Sequence, residues 1–211
     1  MKGNLIIISS PSGGGKGTLI REVLSSIPEV GYSVSFTTRR PRFGEENGRD
    51  YHFVSKQEFS EKIDAGEFLE YAEVHGNMYG TSRTITERII DEGRDVILEI
   101  DVQGAISVME QMPHAVSIFI LPPSFDVLEA RLTARNTEDA ADLALRLKNS
   151  IDEVMQYKRF SYVIVNEHVP VASRMLGSII CAERHKRDRQ EEGIQAILDS
   201  FAKAKHSIVG E

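Results

Sequence analysis

The chain has 211 residues, 41% hydrophobic and 27% charged, with a net charge of −7 and one cysteine. That length and balance fit one generous soluble domain, and no apolar run reaches the about 20 residues a membrane span needs, so the chain reads as cytoplasmic with no membrane partner. The acidic balance argues against general nucleic-acid binding, and the lone Cys181 excludes an intrachain disulfide and a cysteine-based metal cluster.

The first element is the apolar run Leu5–Ile8. No small-residue cleavage pattern follows it, so a buried strand explains it better than a signal peptide. The stretch SSPSGGGKGT, Ser9 to Thr18, comes next, and a helical pattern over Thr18–Ser26 stops before Pro28. From about Ser35 to Arg83 aromatic residues, dense glycines and short alternating stretches predict a small α+β insertion. A helix over Ser82–Glu92 ends at Gly93, and Val96–Ile100 and Val116–Leu121 are again strongly apolar runs. Pro122-Pro123 precedes a helix over Ser124–Ala134, with Ser124 as its cap. A further helix over Asp142–Tyr157 carries Leu143, Leu147, Ile151, Val154 and Met155 on one stripe, read as core packing. Tyr162–Val165 is the last strand. Cys181, beside Ile179, Ile180 and Ala182, reads as a small packed side chain. After residue 183 the run ERHKRDRQEE reads as a solvated face, followed by a peripheral helix with Ile194, Ile197, Leu198 and Phe201.

Short, largely apolar strands alternating with helices define an α/β fold, a doubly wound parallel sheet flanked by helices. Ligands in such sheets sit outside the carboxyl ends of the strands. The loop after Ile8 and the residues after Leu98 therefore fall at the same edge.

Three consecutive glycines, Gly13 to Gly15, let the backbone curl with its N–H groups inward, and the following helix adds unsatisfied amides. Lys16 supplies a point charge for phosphates. The strict phosphate-loop pattern asks for glycine where Ser10 stands and for a hydroxyl where Gly17 stands. That hydroxyl ordinarily reaches Mg²⁺. Three readings follow: a dead site, substitution by Thr18, or a metal held mainly by phosphates and water.

Downstream, Arg39 and Arg42 around Pro41, with Tyr51, suit a phosphate group. Arg40 and Arg49 read as surface ion-pair residues. Glu70, Tyr79 and Thr81 lie in FLEYAEVHGNMYGTS, and Glu99 and Asp101 in LEIDVQG. An acceptor carboxylate suits guanine, whose N1–H and 2-amino group are both donors. His52 and His75 lie near these motifs and read as local hydrogen-bonding groups.

Taken in order, PSGGGKGT, VSFTTRRPRFGEENGRDYHFV, FLEYAEVHGNMYGTS, ILEIDVQGA, FILPPS, the arginine series RLTAR with a later RL, and VIVNE recur at natural spacing. From the glycine loop to about residue 185 the chain resembles the bacterial guanylate kinases. The resemblance implies a P-loop α/β core over 1–34, 84–125 and 148–211, a GMP-binding insertion over 35–83 and a helical lid over 126–147. It implies transfer of the ATP γ-phosphoryl group to GMP, with Mg²⁺ as cofactor and ATP and GMP as small-molecule partners. A homo-oligomer is left open.

By matching position, Pro11, Ser12, Gly13, Gly14, Gly15, Lys16, Gly17 and Thr18 would hold ATP phosphates, with Asn166 near adenine. Ser35, Arg39, Arg42 and Tyr51 would hold the GMP phosphate with help from Tyr79, while Glu70, Thr81 and Asp101 would read guanine. Lys16, Arg39, Arg131, Arg135 and Arg146 would act on the transferring group. No direct side-chain ligand to Mg²⁺ is implied, Glu99 and Asp101 acting at most through water. The departures are Ser10, Gly17, Thr81 in place of serine and Glu99 in place of aspartate. The Lys-Gly-Thr order is also that of adenylate kinases. Two alternatives stay open: a non-catalytic binding module of this type, and a nucleoside monophosphate kinase of different base specificity.

Overall fold

The computed structural model describes residues 2–74, 76–134 and 140–209. In chain order these form β1 (Leu5–Ser9), α1 (Lys16–Ser26), β2 (Val30–Tyr32), β3 (Phe36–Thr37), β4 (His52–Phe53), α2 (Lys56–Asp64) and β5 (Phe68–Val74). There follow β6 (Asn77–Ser82), α3 (Arg83–Asp91), β7 (Asp95–Glu99), α4 (Val102–Gln111), β8 (Val116–Leu121) and α5 (Phe125–Thr133). The remainder is α6 (Ala140–Met155), a 3₁₀ turn over Gln156–Arg159, β9 (Tyr162–Val165), α7 (Val169–Arg184) and α8 (Arg187–Val209).

Among the described residues the main sheet has the order β2-β7-β1-β8-β9, all parallel. Alternation in β1 divides the core between its faces. Ile6 and Ile8 join Ile97, Ile118 and Ile120 against α1 and α7, while Leu5 and Ile7 join Val96, Leu98 and Phe119 on the face of α3 and α4. The pairing of Ile8 with Glu99 brings the glycine loop and the end of β7 to one sheet edge.

A second sheet, order β4-β3-β6-β5, lies between Phe36 and Ser82. Its β5 packs on α4, where Leu69 enters the main core. That anchor sets the height of the next residue, Glu70, over the carboxyl edge of the main sheet. Helix starts follow local chemistry: Ser82, Asp101 and Ser124 each accept a backbone N–H of the first turn with their side chains.

Three expectations are corrected. Cys181 is exposed, because helical periodicity turns it away from the buried Leu176 and Ile180. The apolar stripe of α6 is not a core face: Ile151 and Met155 are each 56% exposed, whereas Ser150 on another face is 1% exposed. The charged run after residue 183 is not wholly solvated. Glu183 is buried against the Tyr162 hydroxyl and Lys186, and Arg184 Nε lies 2.6 Å from buried Asp95 Oδ2. The stripe Ile194, Ile197, Leu198 and Phe201 of α8 is exposed. No helix among the described residues is long and apolar enough to cross a membrane.

Candidate active site

The chain leaves β1 and enters the glycine loop at the carboxyl edge of the sheet. Gly13 and Gly15 hold φ of 84° and 87°, which side-chain-bearing residues rarely adopt, and a Cβ on Gly15 would stand 2.5 Å from Asn166 Nδ2. The Gly14 N–H donates to the Pro11 carbonyl at 2.9 Å, tightening the turn. Gly15 then caps α1, so the amides of Lys16, Gly17 and Thr18 begin the helix without intrahelical acceptors. These residues line a cleft of about 670 Å³, and with Lys16 in its wall the cleft suits phosphates.

The loop is braced from behind. Asn166 is buried and its Nδ2 donates to the Gly14 carbonyl at 3.1 Å, while Arg131 Nη2 donates to the Asn166 carbonyl at 2.9 Å. Arg131 Nη1 also reaches the Gly14 carbonyl at 3.4 Å. On the other side Arg146 donates from Nε and Nη2 to Ser12 Oγ at 3.0 and 2.7 Å. The Thr18 hydroxyl accepts from Arg21 Nη2 at 3.3 Å.

A second cleft, of about 320 Å³, is lined by Ser35, Arg42, Tyr51 and Tyr79, and by Glu70 and Asp101. Lys16, Tyr51, Glu99 and Arg146 belong to the walls of both clefts, so the two adjoin. Glu70 lies directly across from Thr81, whose hydroxyl donates to Glu70 Oε1 at 2.6 Å. Burial lifts the Glu70 carboxyl to about 7, the Thr81 hydroxyl opposing the rise and the nearby Asp101 charge adding to it. Asp101 caps α4, its Oδ1 accepting the Gly104 N–H at 2.7 Å. Glu70, Thr81 and Asp101, far apart in sequence, are thus one cluster.

Arg39 is turned to Glu45 rather than into the wall of either cleft. Its Nη2 reaches both carboxylate oxygens of Glu45, at 2.8 and 3.0 Å, and its guanidinium lies 5.3 Å from the Tyr51 ring centroid. The same Glu45 accepts the Arg42 N–H at 2.7 Å. Arg39 holds the Glu45 carboxyl below the usual carboxylate range. Arg49 pairs with Glu46 and Asp50, as expected of a surface residue. His52 stacks on Phe36 at 4.5 Å, and burial lowers its pKa.

At the end of β7, Tyr32 donates its hydroxyl to Glu99 Oε2 at 3.2 Å. Burial and, next, the Glu99 charge push the Tyr32 phenol up, so it stays a donor. A Cβ on Gly17 would stand 3.3 Å from Glu99 Oε1, so the carboxylate occupies the flank that a side chain at position 17 would fill. An oxygen donor beside the phosphate-binding cleft fits the ligand chemistry of Mg²⁺.

The structure therefore gathers Ser12, Lys16, Arg42, Tyr51, Tyr79, Glu70, Thr81, Asp101, Glu99 and Arg146 in or against two adjoining clefts. Arg131 and Asn166 stand behind the loop, and Arg135 and His75 lie outside the described residues. Sequence reasoning missed Tyr32 and Glu45, and also Asn149 and Glu153, which line the second cleft from α6. Two signals were available: Glu45 follows Arg42 by three residues in a glycine-punctuated turn, and Glu153 shares a helix face with Arg146.

A glycine loop after the first strand of a parallel sheet, opening a helix and carrying a lysine, has the form of a phosphate-binding loop in a nucleotide-binding α/β protein. The family model described as "Guanylate kinase" matches residues 2–183. The chain is 46% identical over 195 residues to the guanylate kinase of Thermotoga maritima, covering 92% of this chain and 94% of the relative. It is 48% identical over 202 residues to that of Vibrio vulnificus, covering 95% and 98%. A crystal structure of guanylate kinase from Anaplasma phagocytophilum superposes with a TM-score of 0.78 at 38% identity, covering 94% of this chain and 95% of that one. The chain belongs to the guanylate kinase family, and with that membership goes nucleoside monophosphate kinase activity.

Proposed function

We propose that the protein reversibly transfers the γ-phosphoryl group of ATP to GMP, giving ADP and GDP, at the junction of the two clefts. The observation that carries this reading is the shared wall: Lys16 and Arg146 border both the loop cleft and the cleft floored by Glu70 and Asp101. Cationic groups at that junction offset the repulsion between two polyanions. The loop from Pro11 to Thr18 holds the ATP phosphates. Ser35, Arg42, Tyr51 and Tyr79, with Arg39 behind Tyr51, receive the GMP phosphate, and Glu70 and Asp101 accept from guanine. The segment 126–147 acts as a lid that brings its arginines toward the transferring group and keeps water out.

The acceptor is a phosphate already largely ionised near neutral pH, so no general base is needed. Mg²⁺, when bound, neutralises charge on the phosphates, with Glu99 the residue best disposed to hold it, through its water shell.

A coupled assay with ATP and GMP, AMP, UMP or dTMP tests the reading. AMP has no donor pair for the buried carboxylates, so kcat/KM with AMP should fall about 10⁴-fold below that with GMP. Comparable rates with AMP would remove the guanine assignment. No transfer to any acceptor would leave a binding module.

A further inference from the structure

We infer that Ser12 is a socket through which the phosphate loop sets the position of Arg146, making Ser12 and Glu153 positioning residues for phosphoryl transfer. Each polar group of Ser12 meets the same helix. Its N–H donates to Glu153 Oε2 at 3.0 Å, its hydroxyl oxygen accepts from Arg146 Nε and Nη2 at 3.0 and 2.7 Å, and its carbonyl accepts from Ser150 Oγ at 3.4 Å. Arg146, Ser150 and Glu153 stand at i, i+4 and i+7 of α6, which is one helix face.

This face explains why the apolar stripe of α6 is left partly exposed. The helix docks on the loop by polar groups, because the loop offers backbone donors and acceptors there that require partners once covered. The Ser150 hydroxyl shares its single proton between the Arg146 carbonyl at 2.8 Å and, more weakly, the Ser12 carbonyl, tying the two contact points together. A helix held at three points on one residue cannot slide or rotate without breaking at least one of them. Arg146 borders both clefts, so where α6 sits decides where that guanidinium sits. A misplacement of about 1 Å in such a group costs about 10²-fold in rate.

The inference rests on the reading of Arg146 as a group that acts on the transferring phosphoryl. Its signature is then a loss in kcat with little change in KM, since the Ser12 N–H and hydroxyl are engaged by α6 and the loop's grip on ATP falls to its other amides and Lys16. Ser12→Ala removes only the hydroxyl acceptor and should lower kcat about 10-fold, with KM for ATP and GMP within about twofold. Ser12→Thr keeps the hydroxyl and should recover most of the loss. Glu153→Gln keeps an oxygen acceptor but loses its charge, and should lower kcat about threefold. The double variant Ser12→Ala/Glu153→Gln should lose less than the product of the two, as partners in one contact do.

Wild-type kcat in either single variant overturns the inference, as does equal damage in Ser12→Thr and Ser12→Ala. So does a loss confined to KM for ATP, which would make Ser12 only part of the loop's hold on phosphates. Arg146→Ala separates the role of the guanidinium from that of its socket. If it turns over normally, the functional reading of Arg146 fails. If it is inactive while Ser12→Ala is normal, only the socket fails.

Discussion

Glu99 Oε1 lies 3.3 Å from the point a Cβ on Gly17 would occupy. The residue without a side chain and the acid beside it therefore form one arrangement, fixed by the pairing of Ile8 with Glu99 across the sheet. In a loop of the strict pattern a hydroxyl at this point meets the metal. In this chain the nearby oxygens belong to the acid.

Glu99→Gln should consequently raise the Mg²⁺ concentration for half-maximal turnover about 10-fold, the scale of losing a group that orients metal-bound water. KM for GMP should hardly move. A Mg²⁺ titration at fixed ATP measures both. An unchanged Mg²⁺ dependence would transfer the metal role to the phosphates alone.

Glu70 links recognition to pH. Its folded value, about 7, lies above that of an exposed glutamate, so the folded protein binds this proton more tightly than the unfolded chain. The stabilisation is therefore full below about pH 4 and is lost as pH rises through about 7. Glu70→Gln should stabilise the protein at pH 8 by up to about 3 kcal/mol and leave it unchanged at pH 4, as urea unfolding would record. Recognition runs the other way, because only the ionised carboxylate is a pure acceptor. KM for GMP should rise about fivefold between pH 7 and pH 6, and that dependence should vanish in Glu70→Gln.

Arg39 and Glu45 set a second contrast. Arg39→Ala should lower kcat/KM for GMP at least about 100-fold. Glu45→Ala removes the fork that orients Arg39 and the acceptor of the Arg42 N–H, and should raise KM for GMP about 10-fold with a smaller change in kcat. Steady-state kinetics at varied GMP distinguishes them. Tighter GMP binding in Glu45→Ala would mean that Glu45 competes with the phosphate instead of preparing its site.

Away from the clefts, Asp95 is 3% exposed and accepts from the Asn4 backbone N–H, Asn4 Nδ2 and Arg184 Nε. Arg184→Ala should destabilise the fold by about 2–3 kcal/mol, since it leaves a buried carboxylate short of its cationic partner. Turnover below the melting range should be unaffected. Chemical denaturation and a room-temperature assay together check this.

Much of the core was legible because its signal is local and repetitive. Leu5–Ile8, Val96–Leu98 and Ile118–Leu121 are apolar throughout, which two-sided burial in the sheet accounts for. The short edge strand β2 carried no such run, only Val30-Gly31-Tyr32, and its pairing with β7 is a long-range fact. Periodicity misleads in α6 because its apolar spacing does not mark the docking face. There the loop presents a serine with three polar groups, so the docking face is polar. Cys181 failed for a simpler reason: its apolar neighbours in sequence point elsewhere on the helix. Lys16, Glu70, Thr81 and Asp101 were legible as chemistry. Glu45 and Glu153 carried only a spacing, three residues from Arg42 and seven from Arg146, and an acid's part in orienting an arginine or an amide shows once the fold brings them together.

Every residue of β1 from Leu5 to Ser9 is buried, the apolar ones alternating between two cores. For mutational drift this segment is nearly closed ground. A polar replacement at Ile6 or Ile7 meets a packed layer whichever way it points, and even a lost methylene leaves a void on one side. In a library covering every position, survivors should be rarer across these five residues than across the exposed stripe of α8. The loop's place in space is thus inherited from a strand that has almost no freedom to change.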